Sequence, residues 1–275
     1  LLTMSENIED WTNEVHQGDV IEKLQDMPEE SVDLIVADPP YNASHGNDAE
    51  YQEKNWKKLD ESWDSFTKDD YFLFTQQWIK EAKRIMKEGA SIFVFGSYHN
   101  IGFVNVTFQK FDMDMLNEIV WYKRDAFPNI ACTRLTASHE SILWAYKGND
   151  KNYTFNYDWV KETKWTKDAF DEADTQVRTV WNIPKSKPGV ETEHGDHPTQ
   201  KPLSVVDRII QMSSQKGDVV LDPFAGSGTS LVSAKKYGRG YIGIEKEKEY
   251  VELSANRLSS TEEIERDSGK TVFDY

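Results

Sequence analysis

Short apolar runs alternate with amphipathic stretches along most of the chain. Val32 to Ala37 is apolar except for Asp33 and stops at Asp38-Pro39-Pro40, the pattern of a buried parallel strand ended by proline. From Lys68 to Lys87, the residues Tyr71, Phe74, Trp78, Ala82 and Ile85 recur at three- and four-residue steps, which predicts a helix closed by Gly89. Ser91 to Phe95 reads as the next buried strand and Asn100 to Lys110 as a second helix. Leu116 to Tyr122 and Glu140 to Tyr146 read as two further strands flanking an irregular segment, Lys123 to Ser138.

Periodicity fades between Gly148 and Pro202, apart from a short strand candidate at Val177 to Trp181. It then returns as helix Ser204 to Gln215, strand Val219 to Leu221, helix Thr229 to Tyr237, strand Gly240 to Ile244 and helix Lys246 to Leu258. This alternation predicts an α/β fold in one domain, with residues 148–196 as an inserted region and 259–275 as a charged, frayed tail. The polar stretch from Asn42 to Ser65, with Tyr51, Trp56 and Trp63, has no clear period and reads as a long loop; its acidic part, His45 to Asp64, is a candidate lid.

Composition narrows the classes. A chain of 275 residues with 9 Trp, 12 Tyr and 13 Phe has ample core material despite a mean hydropathy of -0.70. The single cysteine, Cys132, excludes an intramolecular disulfide framework and a cysteine-rich zinc site, and suits a reducing cytoplasm. His139 and His194 read as local hydrogen-bonding residues, so no metal site is expected. No stretch reaches the roughly 18 apolar residues of a membrane span, and the first residues lack the order of a signal peptide, so the expectation is a soluble cytoplasmic protein. The net charge of -16 opposes a nucleic-acid partner if it is spread evenly. Residues 121–190, however, hold 11 Lys and Arg against 9 Asp and Glu, leaving 21 against 39 elsewhere. A nucleic-acid-facing side can lie there; equally, the acidity can reflect solubility or a saline habitat alone.

Two segments carry chemistry. Phe224-Ala225-Gly226-Ser227-Gly228-Thr229 is a glycine-rich turn between a strand and a helix, where a ligand can approach the backbone and meet a helix N-terminus. Many nucleotide, flavin and methyl-donor sites use such a turn; Glu245, about 20 residues on at the end of the next strand, is where a ribose diol would be held. The other segment is Asp38-Pro39-Pro40-Tyr41. An exocyclic amino group is a poor nucleophile because its lone pair is delocalised into the ring. Asp38 can accept one amino hydrogen and the Pro39 carbonyl the other, drawing nitrogen toward tetrahedral geometry, while Tyr41 stacks on the base. A paired base cannot reach such a pocket and would have to be flipped out. A strand-terminating turn with an incidental acid is the plainer alternative for this segment taken alone.

In this order, the two segments resemble the S-adenosylmethionine-dependent DNA amino-methyltransferases, in the permuted β class whose catalytic motif precedes the cofactor motif. The resemblance runs from Val15 to Leu258. It includes Gly18-Asp19, His197-Pro198-Thr199-Gln200-Lys201-Pro202, Leu221-Asp222-Pro223 ahead of the turn, and Gly243-Ile244-Glu245. It implies a Rossmann-like, doubly wound, mostly parallel seven-stranded sheet with an inserted target-recognition region. Residues 15–147 would form the catalytic half, 148–196 the insertion and 197–258 the cofactor half. It implies S-adenosylmethionine as cofactor: Asp19 accepting from its adenine amino group, Glu245 binding its ribose hydroxyls, and Asp222, Phe224, Ala225, Gly226, Ser227 and Gly228 walling its methionine end. Thr199, Lys201 and Thr229 would lie near the methionine carboxylate, with Lys201 its charge partner. Asp38, Pro39, Pro40 and Tyr41 would form the target-base site.

The segment Lys123-Arg124-Asp125-Ala126-Phe127-Pro128-Asn129 resembles the family's DNA-facing loop, with the basic pair toward phosphates and Phe127 against the displaced base. A Pro-Asn turn with two solvated cations is the dull alternative. Arg134, Lys185 and Lys187 are further phosphate candidates. Members with Asp first in the catalytic motif usually act on N6 of adenine and those with Ser first on N4 of cytosine, so Asp38 favours adenine. The segment Phe127 to Trp144, with Pro128-Asn129 and Glu140-Ser141-Ile142-Leu143-Trp144, resembles the adenine methyltransferases of restriction-modification systems, so the expectation is an adenine-N6 methyltransferase of such a system. DNA is the expected partner, with a homodimer and a partner restriction endonuclease as options. Cytosine-N4 methylation, or a non-catalytic DNA- or cofactor-binding module, stays open.

Overall fold

The computed structural model describes residues 7–42, 67–126, 128–129, 132–163, 177–185 and 199–264. Among these, after a 3-10 turn at Ile8–Asp10, the elements in chain order are β1 (Glu14–Gln17), α1 (Val20–Asp26), β2 (Val32–Ala37), α2 (Lys68–Ile85), β3 (Met86–Gly96), α3 (Ile101–Lys110), β4 (Asp114–Tyr122) and β5 (His139–Tyr146). They continue with α4 (Tyr157–Glu162), β6 (Val180–Asn182), α5 (Leu203–Ser213), β7 (Val219–Asp222), α6 (Thr229–Lys236), β8 (Gly240–Glu245) and α7 (Lys248–Ser259). The strands form one sheet in the order β1-β8-β7-β2-β3-β5-β4-β6. All neighbours run parallel except β5, which is antiparallel to both β3 and β4.

Strand residues alternate between two apolar layers, as a doubly wound sheet requires. Leu34 and Val36 of β2 join Phe93, Phe95 and Trp144 in a core with Val206, Ile209 and Ile210 of α5 and Leu231 of α6. Ile35 and Ala37 face the other way, onto Trp78, Ile79 and Ala82 of α2 and Val104 and Phe108 of α3. Helix α2 starts at Thr67, whose hydroxyl accepts from the Asp70 amide.

Three features depart from the sequence reading. The sheet has eight strands, not seven: Val180–Asn182 pairs with β4, with Val120 opposite Val180, and buries Trp181 beside it. The indole of Trp121 donates to the Ile183 carbonyl at 2.7 Å, and the Arg208 guanidinium lies 4.7 Å from the Trp181 ring centre. Helix α2 does not continue to Gly89. Met86 turns into extended backbone and pairs with Val32, and Gly89, at φ 83°, sits inside β3 where the register against β2 slips. Its amide donates to the Lys147 carbonyl at 2.7 Å. The third departure is the pair β1 and α1, whose four and seven residues are too short to show a period. Residues 156–163, within the segment expected to be an insertion, pack on α5, where Asn156 Nδ2 donates to the carbonyls of Gln211 (2.6 Å) and Ser214 (2.9 Å). No helix among the described residues is long and apolar enough to cross a membrane.

Candidate active site

Strands β2 and β7 lie side by side, and the chain leaves them in opposite directions. From β2 it passes through α2, on one face, to β3; from β7 it passes through α6, on the other face, to β8. Such a reversal opens a crevice at the carboxyl ends of the strands, where ligands of doubly wound sheets bind. Both segments singled out in the sequence sit at this opening: Asp38 follows β2, and the glycine turn follows β7.

The turn is held from below. Gly226 and Gly228 take φ of 50° and 75°, left-handed values that suit glycine. A Cβ on Gly228 would also stand 2.9 Å from Ser254 Oγ. Glu245, ending β8, spends its carboxylate on backbone: Oε2 accepts from the Gly226 amide and Oε1 from the Glu247 amide, both at 2.8 Å. Arg257 of α7 donates to the Ser227 carbonyl at 2.6 Å and lies 3.0 and 3.1 Å from the hydroxyls of Ser227 and Thr229. Ser254 Oγ donates to the Gly226 carbonyl at 2.7 Å. Asp222 is buried; it accepts from the Phe224 amide at 2.9 Å and from the Ser230 hydroxyl, yet burial pushes its carboxyl up to about 7. Phe224 is half-buried, edge-on to Trp78 with ring centres 5.3 Å apart, and Ala225 is buried in the opposite apolar layer. Asp19 caps α1, accepting from the amides of Ile21 (2.9 Å) and Glu22 (3.3 Å). Strand β1 neighbours β8, so Asp19, Glu245 and the turn lie in that order along one edge of the opening.

On the β2 side the side chains form a buried charged cluster. Asp38 Oδ2 lies 2.5 Å from Lys201 Nζ, and Asp38 Oδ1 accepts from the Tyr41 hydroxyl at 2.8 Å. Glu140, at the start of β5, also accepts from that hydroxyl, at 3.1 Å. It pairs with Lys123 at 2.7 Å and stands 3.6 Å from Lys201 Nζ. Two ammonium groups thus face two carboxylates, the balance a low-dielectric site demands. Burial pushes the Asp38 carboxyl up, against the pull of Lys201. Burial also opposes the charge on Glu140, but Lys201 and Lys123 outweigh it and hold that carboxyl down. Burial and the two carboxylates push the Tyr41 hydroxyl well up, so it acts as a donor here. Pro39 is buried, and the carbonyl of half-buried Pro40 accepts from Tyr71 of α2 at 2.5 Å.

Of the residues expected to meet DNA, Lys123 leaves β4 toward the charged cluster, with its ammonium 5.3 Å from the Trp121 ring centre. Arg124 and Arg134 are exposed on the β4–β5 loop, and the Lys185 amide lies 3.3 Å from both carboxylate oxygens of Asp125 in that loop. Partial burial and then the charge of Lys123 lower Lys185. Thr199 is exposed two residues before buried Lys201. Phe127, Lys187, His194, His197, Pro198 and the loop His45 to Asp64 lie outside the described residues. Among the described residues, no group of three or more His, Cys, Asp or Glu is placed to hold a metal.

Three participants escaped the sequence reading. Glu140 carries no site role in the sequence, where it opens an apolar strand that resembles adenine methyltransferases; Tyr71 is one more apolar position of α2, and Arg257 a basic residue in the last turn of α7.

The DNA methylase family model matches residues 32–256. The type II methyltransferase M.HinfI of Haemophilus influenzae is 40% identical over 261 residues, 93% of this chain and 70% of that protein. The type II methyltransferase M2.DpnII of Streptococcus pneumoniae is 38% identical over 250 residues, 90% of this chain and 89% of that protein. Among solved structures, M1.HpyAVI in complex with SAM superposes with a TM-score of 0.63 at 26% identity, covering 89% of this chain and 98% of that one. The cytosine-N4-specific PvuII DNA methyltransferase shares the fold, with a TM-score of 0.68 at 19% identity over 89% of this chain and 85% of that one. The crevice also suits the cofactor: its glycine turn admits a ligand against backbone, and the carboxylates of Asp19 and Glu245, though each already accepts from backbone amides, keep further lone pairs for amino and hydroxyl hydrogens. This chain belongs to the S-adenosylmethionine-dependent N6/N4 DNA methylases of restriction-modification type.

Proposed function

We propose that the protein methylates N6 of adenine, in a specific DNA sequence, on a base flipped out of the duplex. The observation that carries this reading is Asp38, a partly buried carboxylate that follows β2 beside β7, the strand from which the glycine turn continues, and Asp in this place favours adenine. S-adenosylmethionine, when bound, supplies an electrophilic methyl group. Asp19 would take the adenine amino group of the cofactor, Glu245 its ribose hydroxyls, Phe224 with Ala225 to Gly228 its methionine end, and Thr199, Lys201 and Thr229 its carboxylate. Asp222 would act from beneath, through its hold on the Phe224 amide.

The chain's own residues prepare the nucleophile. Asp38 accepts one hydrogen of the target amino group and the Pro39 carbonyl the other, which withdraws the nitrogen lone pair from the ring; Tyr41 stacks on the base. When nitrogen gains its fourth bond, the surplus proton has the Asp38 carboxylate as its nearest base. Pro40 fixes the backbone that presents these groups. Lys123, Arg124, Phe127, Arg134, Lys185 and Lys187 would meet the DNA, and residues 148–196 would read its sequence. A homodimer and a partner restriction endonuclease belong to this reading as well.

The deciding experiment is transfer of labelled methyl from S-adenosylmethionine to unmethylated genomic DNA, followed by nucleoside analysis. N6-methyladenine is expected. N4-methylcytosine would overturn the base assignment while leaving the site roles in place. Loss of activity in Asp38→Ala with cofactor binding retained is expected; an equally active Asp38→Ala protein would remove Asp38 from catalysis.

A further inference from the structure

The proposed reaction needs an acceptor on Asp38 for the target amino group, yet both oxygens of that carboxylate already have a donor. Oδ1 holds the Tyr41 hydroxyl at 2.8 Å and Oδ2 the Lys201 ammonium at 2.5 Å. Each oxygen keeps a further lone pair, but an ammonium held on Asp38 draws on the same negative charge the amino group must use and makes the carboxylate a weaker acceptor, so the two compete. Glu140 reaches both of those donors, with the Tyr41 hydroxyl at 3.1 Å and Lys201 Nζ at 3.6 Å. It is itself tied to Lys123, at 2.7 Å, where β4 runs into the loop that carries Arg124 and Arg134.

We propose that Glu140 is the positioning residue that clears Asp38 for the target base. The Lys201 ammonium, whose three hydrogens let it keep one for the cofactor carboxylate, needs to slide only the small difference between a contact of 2.5 Å and one of 3.6 Å to exchange Asp38 for Glu140. The Tyr41 hydroxyl needs only to favour the acceptor it already shares. Lys123 sets the timing. While it pairs with Glu140, that carboxylate is partly neutralised; when Lys123 turns to a DNA phosphate, Glu140 has one cation fewer and attracts Lys201 more strongly. Phosphate contact outside the pocket thereby opens an acceptor inside it. No proton or covalent bond changes hands; two hydrogen-bond donors change acceptor. The groups facing Glu140 in this exchange are Asp38 and Tyr41 from the β2 end, Lys123 from β4 and Lys201 ahead of α5.

This inference rests on Asp38 as the acceptor but holds for adenine or cytosine, so product identity tests one claim and the following cycle tests the other. Single-turnover methyl transfer is measured at saturating cofactor and DNA for Glu140→Gln, Lys201→Met, Tyr41→Phe and the double variants with Glu140→Gln, alongside Kd for DNA. Glu140→Gln keeps the side chain's size and removes its charge, so Lys201 stays on Asp38. The rate should fall about tenfold or more while DNA binding is no weaker, because Lys123 is released toward phosphate. In the Lys201→Met or Tyr41→Phe background, where one competing donor is gone, the further loss should be less than about threefold. A wild-type rate in Glu140→Gln, a parallel loss of DNA affinity, or a full additive loss in both backgrounds would overturn the proposal. Should Glu140→Gln fail to fold, Glu140→Asp, which keeps the charge but draws it back from both donors, is put through the same cycle under the same criteria.

Discussion

The hydroxyl of Tyr71 donates to the carbonyl of Pro40 at 2.5 Å and accepts from Asn100 Nδ2 at 3.3 Å. Asn100 in turn accepts from the Ser97 amide at 2.8 Å. The chain of bonds joins the end of β3, the start of α3 and the first turn of α2 to the middle of the catalytic segment. Two successive prolines fix φ but leave ψ free, and Pro40 has no N–H with which to anchor itself. The Tyr71 bond is what orients the peptide that presents Tyr41.

Tyr71→Phe removes that bond without changing the packing, since the ring is fully buried. It leaves a carbonyl and an amide hydrogen short of a partner, a loss of about 1–3 kcal/mol in denaturant unfolding. The rate should fall about tenfold through misplacement of Asp38 and Tyr41, with cofactor Kd unchanged. An unchanged rate would show that the prolines alone hold the segment.

How far the sequence could be read follows from the range of the forces involved. Strand β2, strand β8 and helix α2 have long apolar runs or full turns, and the two site segments are contiguous in the chain, so both were legible. Glu140 and Lys201 were not legible as partners of Asp38: nothing local marks an acid at the head of β5 as facing a carboxylate that follows β2. That contact depends on β5 packing antiparallel beside β3. Gly89 misled because a glycine after an apolar helix is the common stop signal; here buried Met86 had already entered the sheet, and Gly89 served a register slip instead. Asp19 was read as a ligand acceptor, and the structure adds a second use for it as the cap of α1.

Gly228→Ala should weaken cofactor binding and stability together. The new Cβ meets Ser254 Oγ at 2.9 Å and Cβ at 3.0 Å, and φ of 75° costs an L-residue about 1–2 kcal/mol. Adding Ser254→Gly relieves the contact but not the backbone strain, and it also removes the bond to the Gly226 carbonyl. Calorimetric titration with S-adenosylmethionine should therefore show only partial recovery in the double variant. Complete recovery would mean that the left-handed conformation is unimportant.

Asp222 makes stability depend on pH. Its carboxyl is raised from an ordinary 3.8 to about 7, chiefly by burial. Between those values the unfolded chain is ionised and the folded chain protonated. Its contribution to stability is therefore fully present below about 4 and lost as pH rises through about 7. Asp222→Asn does not titrate, and its amide oxygen can still accept from the Phe224 amide. Urea unfolding at pH 5 and pH 8 should show the wild type losing on the order of 2 kcal/mol relative to Asp222→Asn. A difference independent of pH would place Asp222 ionised at both values.

Arg124 gives the electrostatic test of the DNA-facing side. A chain of net charge -16 binds a polyanion only where cations are locally segregated, and Arg124 is exposed on the β4–β5 loop beyond the Lys123–Glu140 pair. If it contacts one phosphate, Arg124→Ala should reduce the slope of log K against log salt by about one. The weakening should be similar for specific and unrelated duplexes, because a phosphate contact carries no sequence information. The methyl-transfer rate at saturating DNA should stay near wild type, which separates Arg124 from Lys123, whose ammonium is part of the buried cluster. An unaltered slope would show that the loop turns its charges to solvent and that DNA lies elsewhere.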